Sequence, residues 1–336
     1  MTSNAAGFAG WARQLGAIRL PNDPRIAQMA MLGTILAAGA YLYDFALDPR
    51  QTVLTFAAAL LTQAITDRIN GREAINYRSA LITALSIALL LRADSLWVHP
   101  AAAVVAIGSK SLLRLRGKHL FNPSCCGVIV ALLAMPGVWV SPGQWGNGIA
   151  IAGWIAVAGT MAVSRAARGD LSSAFMLFYG GAMLARVLWL GQRLAVFAHR
   201  MASGSLLLFA FFMISDPRTS PDDWRGRLVH SAIVAGLAFV LGAHFYANNP
   251  LLWALFLAAP AVPLWDTIFK APQFEWKVKG ESDVSEIQTS LVCDDCDKSL
   301  RRIAPADSGA RLLRLLRRQG GGHAPQQNLE GRVGSP

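Results

Sequence analysis

Few residues in this chain have the type and spacing that do chemistry, and most of them sit where long apolar runs end. Asp266 lies inside the apolar run from Pro260 to Phe269. A carboxylate at membrane depth is costly, so it lines an ion pathway or pairs with a base, and Lys270 is close enough in sequence to be that base. Asp216 closes the run Phe211-Phe-Met-Ile-Ser215 and is followed by Pro217-Arg218. It reads either as a turn aspartate partnered by Arg218 or as a polar group of a functional site. Lys110, Arg114, Arg116 and Lys118 form a cationic strip ahead of Asn122-Pro123. Such a strip could hold a nucleotide or flavin phosphate, and it could equally be an orientation signal. Lys118, Asn122 and Asp216 are the candidate cofactor-binding residues, and Asp266 is the candidate for an ion pathway.

Two cysteine pairs complete the inventory. Cys293-Asp-Asp-Cys296 has the spacing of half a zinc site or of a redox pair. Zinc takes about four ligands, and only His323 lies nearby. Cys293 and Cys296 are therefore either part of an intersubunit metal site or two incidental thiols. Cys125 and Cys126 sit at the mouth of an apolar run, where a reducing compartment argues against a disulfide. No nucleophile–base set, Walker loop or dinucleotide fingerprint occurs, so the chain is not expected to be an independent enzyme.

The elements that must position these residues follow from composition. The chain has 336 residues, 54% of them apolar and 15% charged, against roughly 25% charge in soluble domains. Its many apolar runs predict an all-α polytopic membrane protein, with about ten transmembrane helices near residues 26–46, 51–67, 79–93, 98–112, 121–139, 146–163, 172–190, 203–215, 229–245 and 250–268. The third, fourth and eighth are short for full crossings. Residues 1–25 form an N-terminal segment, 26–270 the membrane domain, and 271–336 a polar, basic and largely flexible tail. In that tail, Leu312, Leu313, Leu315 and Leu316 alternate with Arg311, Arg314, Arg317 and Arg318, which on a helix would suit a membrane surface or a partner.

Charge sets the orientation. The N-terminal segment and the even-numbered connections carry Arg13, Arg19, Arg25, Arg68, Arg72, Arg78, Lys110, Arg114, Arg116, Lys118, Arg165, Arg168, Arg218, Arg225 and Arg227, whereas the odd connections carry only Arg50, Arg92, Arg193 and Arg200. By the positive-inside rule both termini are expected to be cytoplasmic, and the membrane expected is the cell inner (cytoplasmic) membrane. The net charge of +11 then reflects orientation and contact with anionic lipid, and it requires no nucleic acid. Tryptophans near span ends, among them Trp97, Trp139, Trp145, Trp224 and Trp265, fit an interfacial belt.

Ten spans can be read as five plus five, which would invert the second copy. Ser79 opens the third span and Asn122-Pro123 the fifth; Ser205 opens the eighth and Asn249-Pro250 the tenth. In each pair, Asn would cap the first amides and Pro would fit the first turn. Gly127, Gly180 and Gly181 are positioned to allow close helix packing.

Several phrases occur together and in order: Ser79-Ala-Leu-Ile-Thr83, Gly117-Lys-His-Leu-Phe-Asn-Pro123, Phe211 to Pro221, Arg225-Gly-Arg-Leu228 and Val262-Pro-Leu-Trp-Asp266. Over residues 60–270 the chain resembles the family that contains the B subunit of the sodium-pumping NADH:quinone oxidoreductase and the D subunit of the Rnf electron-transport complex. That resemblance implies a ten-helix membrane flavoprotein that passes electrons beside other complex subunits, coupled to cation transport. Family members carry FMN on a threonine in the outer loop after the Phe-Asn-Pro span. Here no threonine lies between Phe121 and Gly159, and Ser141 has no matching surroundings. Ala259 stands where the family often has Asn. The expectation is therefore a noncovalent flavin, FMN or riboflavin, and not a covalent one. Compact members are similar to membrane proteins of enediyne biosynthetic clusters, so the alternative is a family-derived transporter or anchor without redox activity.

Overall fold

The computed structural model describes residues 23–43, 45–141 and 149–274. Asp44, Trp145, Cys293, Cys296 and the leucine–arginine stretch lie outside these residues, so the expectations made for them have no structural counterpart. Twelve α-helices occur among the described residues: α1 Pro24–Leu42, α2 Pro49–Ile69, α3 Tyr77–Leu90, α4 Val98–Leu112, α5 Pro123–Ala134, α6 Ile149–Arg165, α7 Gly169–Trp189, α8 Leu194–Met201, α9 Gly204–Leu208, α10 Trp224–Ala243, α11 Pro250–Ala258 and α12 Val262–Ile268. A π-turn, Phe209–Met213, continues α9, and a 3₁₀ turn, Ala259–Ala261, joins α11 to α12. Two small antiparallel pairs accompany them: β1 (Leu91–Ala93) with β4 (Val138–Val140), and β2 (Arg114–Leu115) with β3 (Lys118–His119).

Every expected span contains helix. By length and composition, four helical stretches among the described residues could each cross a membrane: Pro24–Leu42, Gly169–Trp189, Trp224–Ala243 and Pro250–Ile268. A fifth arises if Leu194–Met201 and Gly204–Met213, bent by 48°, count as one. The fifth expected span is shorter than its apolar run, with only the 12 residues of α5 helical. At about 1.5 Å per residue, the 14 residues of α3 reach about 21 Å, short of a hydrocarbon core of about 30 Å. Strand β1 extends α3 directly, and β4 follows α5 after a short turn, so extended backbone makes up the length. Non-helical backbone is tolerable at depth only when it is buried in protein and hydrogen-bonded. Leu91 and Arg92 are buried, and the β1–β4 ladder pairs their backbone with Trp139 and Val140. The Arg92 guanidinium donates to Ala88 O at 2.8 Å, closing the end of α3.

Helix α2 gives the plainest sign of a lipid environment. Its buried residues are Gln51, Thr55, Ala59, Gln63 and Asp67, one every fourth position and mostly polar. Its outward face carries Val53, Leu61, Ile65 and Ile69. A helix in water buries its apolar stripe; this one is reversed, as a lipid-facing helix requires.

Local chemistry explains the helix starts. Asp-Pro-Arg occurs at Asp23–Arg25, Asp48–Arg50 and Asp216–Arg218, and in each case the aspartate side chain accepts the arginine backbone N–H, at 2.9, 2.8 and 3.0 Å. The first two begin α1 and α2 with Pro in the first turn. Asn122 caps α5 by accepting from Cys125 N at 3.1 Å, as expected. Asn249 does not cap α11 in that way. It adopts a left-handed backbone (φ 56°) with no side-chain cap, and its carbonyl takes Leu252 N instead. The glycine expectation divides similarly. A Cβ on Gly127 would strike Ala102 O and the Ala106 methyl, and one on Gly180 would meet the flexible end of Met201, but Gly181 faces open space.

The α4–α5 contact therefore rests on absent side-chain volume. Gly127→Val should overpack it, at a cost of about 1–3 kcal/mol. Gly181→Ala should be close to neutral. Thermal unfolding in detergent, with each variant beside the parent, measures the difference.

Candidate functional site

The site lies at the end of the bundle where the basic connections meet. A cavity of about 460 Å³ opens there among the start of α1, the α2–α3 and α4–α5 connections, the inner faces of α3 and α5, and the turn after the π segment. Its polar lining includes Arg25, Arg72, Arg114, His119, Asn122, Asp216 and Arg218, with Thr83 and Ser86 deeper along α3. Ile82, Pro123 and Phe212 supply apolar wall.

The β2–β3 hairpin decides which cations face it. Arg116 (φ 53°) and Gly117 (φ 81°) form a tight turn with both residues in the left-handed region, the geometry of a two-residue hairpin. Arg114 is then paired with His119 and Leu115 with Lys118. Because neighbouring strand residues point to opposite faces, Arg114 and His119 go to the cavity while Lys118 goes the other way. Lys110 Nζ donates to Ser79 Oγ at 2.9 Å behind the cavity wall, and Arg116 reaches Thr267 Oγ1 at 2.8 Å, well away from it.

On the hairpin's other face, Lys118 enters a buried ion network. Its ammonium donates to Asp266 Oδ2 at 2.8 Å and to Ser220 O at 2.6 Å, and lies 3.1 Å from Asp222 Oδ2. Two of its protons have protein acceptors, and the Asp222 carboxylate adds an ion pair. Asp222 N donates to Asp266 Oδ1 at 2.9 Å, and the Arg168 guanidinium lies 3.7 Å from Asp222 Oδ1. This one cluster ties together the hairpin, the α6–α7 connection, the turn after the π segment and α12.

Electrostatics in the cavity are one-sided. Asp23 takes Arg25 at 2.9 Å and Arg78 at 2.6 Å, and Asp67 takes Arg72 at 2.8 Å. No carboxylate among the described residues forms an ion pair with Arg114 or Arg218. Burial, then the charges of Arg72 and Arg218, hold Arg114 below its ordinary value. His119 is pushed down to about 3 by burial and by Lys110, Arg114 and Arg218. Burial pushes the Asp216 carboxyl up, against the hydrogen bond from Arg218 N and the nearby Lys110 and Arg218 charges. Asn122 uses Oδ1 for its cap and for Ser124 Oγ, and Nδ2 for Met213 O at 3.2 Å, which leaves one amide hydrogen for a ligand.

A second cavity, of about 390 Å³, lies at the opposite end, lined by Tyr179, Arg200, Ser205, Phe209, Met213 and Asn249 among others. The two cavities meet the same π-turn, one at Phe212 and the other at Phe209 and Met213.

Residues 140–275 match a family described as the NQR2, RnfD, RnfE family. That region, less than half of the chain, is similar to the family. A stretch of 66 residues is also 39% identical to the D subunit of the ion-translocating oxidoreductase complex of Tolumonas auensis (strain DSM 9187 / NBRC 110442 / TA 4). That alignment covers 20% of this chain and 19% of the relative.

Asp216, Arg218, Asp222 and Asp266 lie inside the NQR2, RnfD, RnfE family region, whereas Ser79–Thr83 and Gly117–Pro123 lie outside it and join it only in space. Of the candidate cofactor residues, Asn122 and Asp216 share the basic-end cavity. Lys118 is instead the partner of Asp266, the ion-pathway candidate, which pairs with it and not with Lys270. No group of three or more His, Cys, Asp or Glu with metal-site geometry occurs among the described residues. Sequence reasoning gave Arg25 and Arg72 to orientation, and Arg218 to orientation and to Asp216, and missed their convergence. The Asp-Pro-Arg repeat was the available signal, since two of its three copies place their arginine in the cavity.

The ion network and the buried histidine should each show in stability. Removing the lysine leaves Asp266 without a cation and Asp222 with only the more distant Arg168, whereas removing Asp266 leaves Lys118 with Asp222. Lys118→Met should therefore destabilise by about 3–5 kcal/mol and Asp266→Asn by clearly less, as read from thermal unfolding of the purified variants. His119 is neutral in the folded protein down to about pH 3 but takes a proton near pH 6.5 when unfolded. Its contribution to stability is complete above about pH 6.5 and falls as pH drops toward 3, by at most about 1.4 kcal/mol per unit. Unfolding midpoints between pH 7.5 and 5 should fall less steeply in His119→Gln than in the parent.

Proposed function

We propose that this chain is a multi-pass inner-membrane subunit of an electron-transport complex of the NQR/Rnf kind, holding a noncovalent flavin in the basic-end cavity. One observation carries the reading. Phrases far apart in the chain, represented by Ser79, Thr83, Asn122, Asp216 and Arg218, line one cavity. Its volume falls within the range of about 300–1,000 Å³ typical of ligand sites. Ile82, Phe212 and Pro123 would flank an isoalloxazine ring, and Thr83, Ser86 and the remaining amide hydrogen of Asn122 would offer its polar edge a few partners. The flavin would supply one- and two-electron transfer; the protein's part is to bind it, orient it and keep bulk water from its inner edge.

Support for the membrane arrangement comes from the same geometry. The N-terminal side of α1 and the even connections gather at the basic end, where Arg25, Arg72, Arg114 and Arg218 share a cavity. The odd connections contribute Val140, Ser203 and Asn249 to the opposite cavity. Ten crossings with both termini cytoplasmic fit this alternation, as does a five-plus-five inverted repeat in which Asn122-Pro123 and Asn249-Pro250 open half-helices from opposite sides. The named relative belongs to an ion-translocating complex, so partner subunits and coupled cation movement form part of the proposal. The two opposed cavities also favour a second reading, a family-derived transporter or anchor without redox chemistry.

An absorbance spectrum of detergent-purified protein, before and after acid precipitation, separates these readings. Flavin bands that pass into the acid supernatant are expected. Colour retained in the pellet would mean covalent flavin and overturn the proposed attachment. A colourless protein that also fails to bind added flavin would leave the transporter or anchor reading.

A further inference from the structure

The arginines of the basic-end cavity exceed what orientation, ion pairing or helix capping requires. Four of them, Arg25, Arg72, Arg114 and Arg218, arrive from four separate segments and line one cavity in which Asp216 is the only carboxylate among the described residues. Asp23 and Asp67 answer Arg25 and Arg72 from behind, but no described carboxylate forms an ion pair with Arg114 or Arg218. Arg114 feels Arg72 and Arg218 as repelling charges, offset in part by Asp67. The Asp216 side chain accepts from Arg218 N at 3.0 Å, and its one charge faces both Lys110 and Arg218. Guanidinium forks match phosphate geometry with two parallel N–H···O bonds. The opposite cavity, similar in volume, has Arg200 as its sole arginine among the described residues; the gathering of arginines is therefore a property of this site and not of the fold's cavities in general.

We infer that Arg72, Arg114 and Arg218 form a subsite for a phosphate group, so that the cavity selects a phosphorylated flavin, FMN, over riboflavin. The flavin half of this statement rests on the reading proposed above; the phosphate half stands on the arginines alone. The same chemistry would accept a phospholipid head group entering from the bilayer edge or free inorganic phosphate.

The test is equilibrium binding to flavin-depleted, detergent-purified full-length protein with three probes: FMN, riboflavin and inorganic phosphate. FMN should bind at least tenfold tighter than riboflavin. Arg114→Gln with Arg218→Gln should bring FMN down to the riboflavin level and leave riboflavin unchanged. Arg116→Gln, on the hairpin tip and directed at Thr267, should leave both unchanged and so shows that the loss is not one of hairpin folding or of general charge. Equal affinities for FMN and riboflavin in the parent would overturn the phosphate subsite while leaving the flavin reading intact. Binding of inorganic phosphate that the double variant loses, with neither flavin bound, would keep the subsite and overturn the flavin reading. Absence of all three would overturn both. Repeating the FMN titration in nanodiscs of phosphatidylcholine alone and of phosphatidylcholine with phosphatidylglycerol distinguishes the sources. An FMN advantage that disappears only with the anionic lipid assigns the subsite to a head group, and one that persists assigns it to the soluble phosphate.

Discussion

One ammonium group between two carboxylates organises the basic end of this protein. Lys118, Asp222 and Asp266 come from the hairpin after α4, the turn before α10 and the last helix. Each would be costly to bury alone. Together, and with Asp222 N donating to Asp266, they fix three distant segments to one another where no long helix packing does so. The hairpin's alternation then does the rest. Once Lys118 is drawn to the acids, Arg114 and His119 must face the other way, and that direction is the cavity. The site's charge is thus a consequence of where its neighbour's charge is satisfied.

The interior obeys a second constraint, that backbone groups away from water need partners within the protein. It shows most clearly at the π-turn Phe209–Met213, where the helical ladder is offset and carbonyls are freed. Ser172 from α7 donates to Ala210 O at 2.6 Å, and Asn122 from α5 donates to Met213 O at 3.2 Å. Asn122 is therefore cap, strut and cavity wall at once. A π-turn of this kind often marks a functional site, and here it separates the two cavities, each of which meets a different part of its surface.

Much of this was legible beforehand, and the reasons for the rest are physical. Helix positions followed from apolar runs, because hydropathy measures what a lipid-exposed helix needs. Helix lengths did not. The run through 121–139 is mostly apolar, yet helix stops at Ala134 and backbone resumes as a strand paired with β1; hydropathy does not distinguish a buried strand from a buried helix. Asn122 and Asn249 share a dipeptide, but only the first caps its helix, because the second is held in a left-handed conformation that turns its side chain away from the amides. Asp266 was recognisable as a charge needing a partner. Its partner is 148 residues away, and no local pattern could have chosen it over Lys270.

The arginines are the instructive case. An orientation signal depends on how many cations lie in a connection, and it is indifferent to where their side chains point. A binding site depends on direction alone. One set of residues can satisfy both demands, so counting charges, although sound, hides the second use. What separates the two uses is neutralisation. Cations that serve orientation can remain solvated or pair with any nearby acid, as Arg25 and Arg78 do with Asp23. Arg114 and Arg218 have no such acid among the described residues and crowd toward the same space. In a chain with 31 basic and 20 acidic residues, acids are scarce enough that their placement is informative. They are spent on helix starts and on Lys118, and the cavity is left positive.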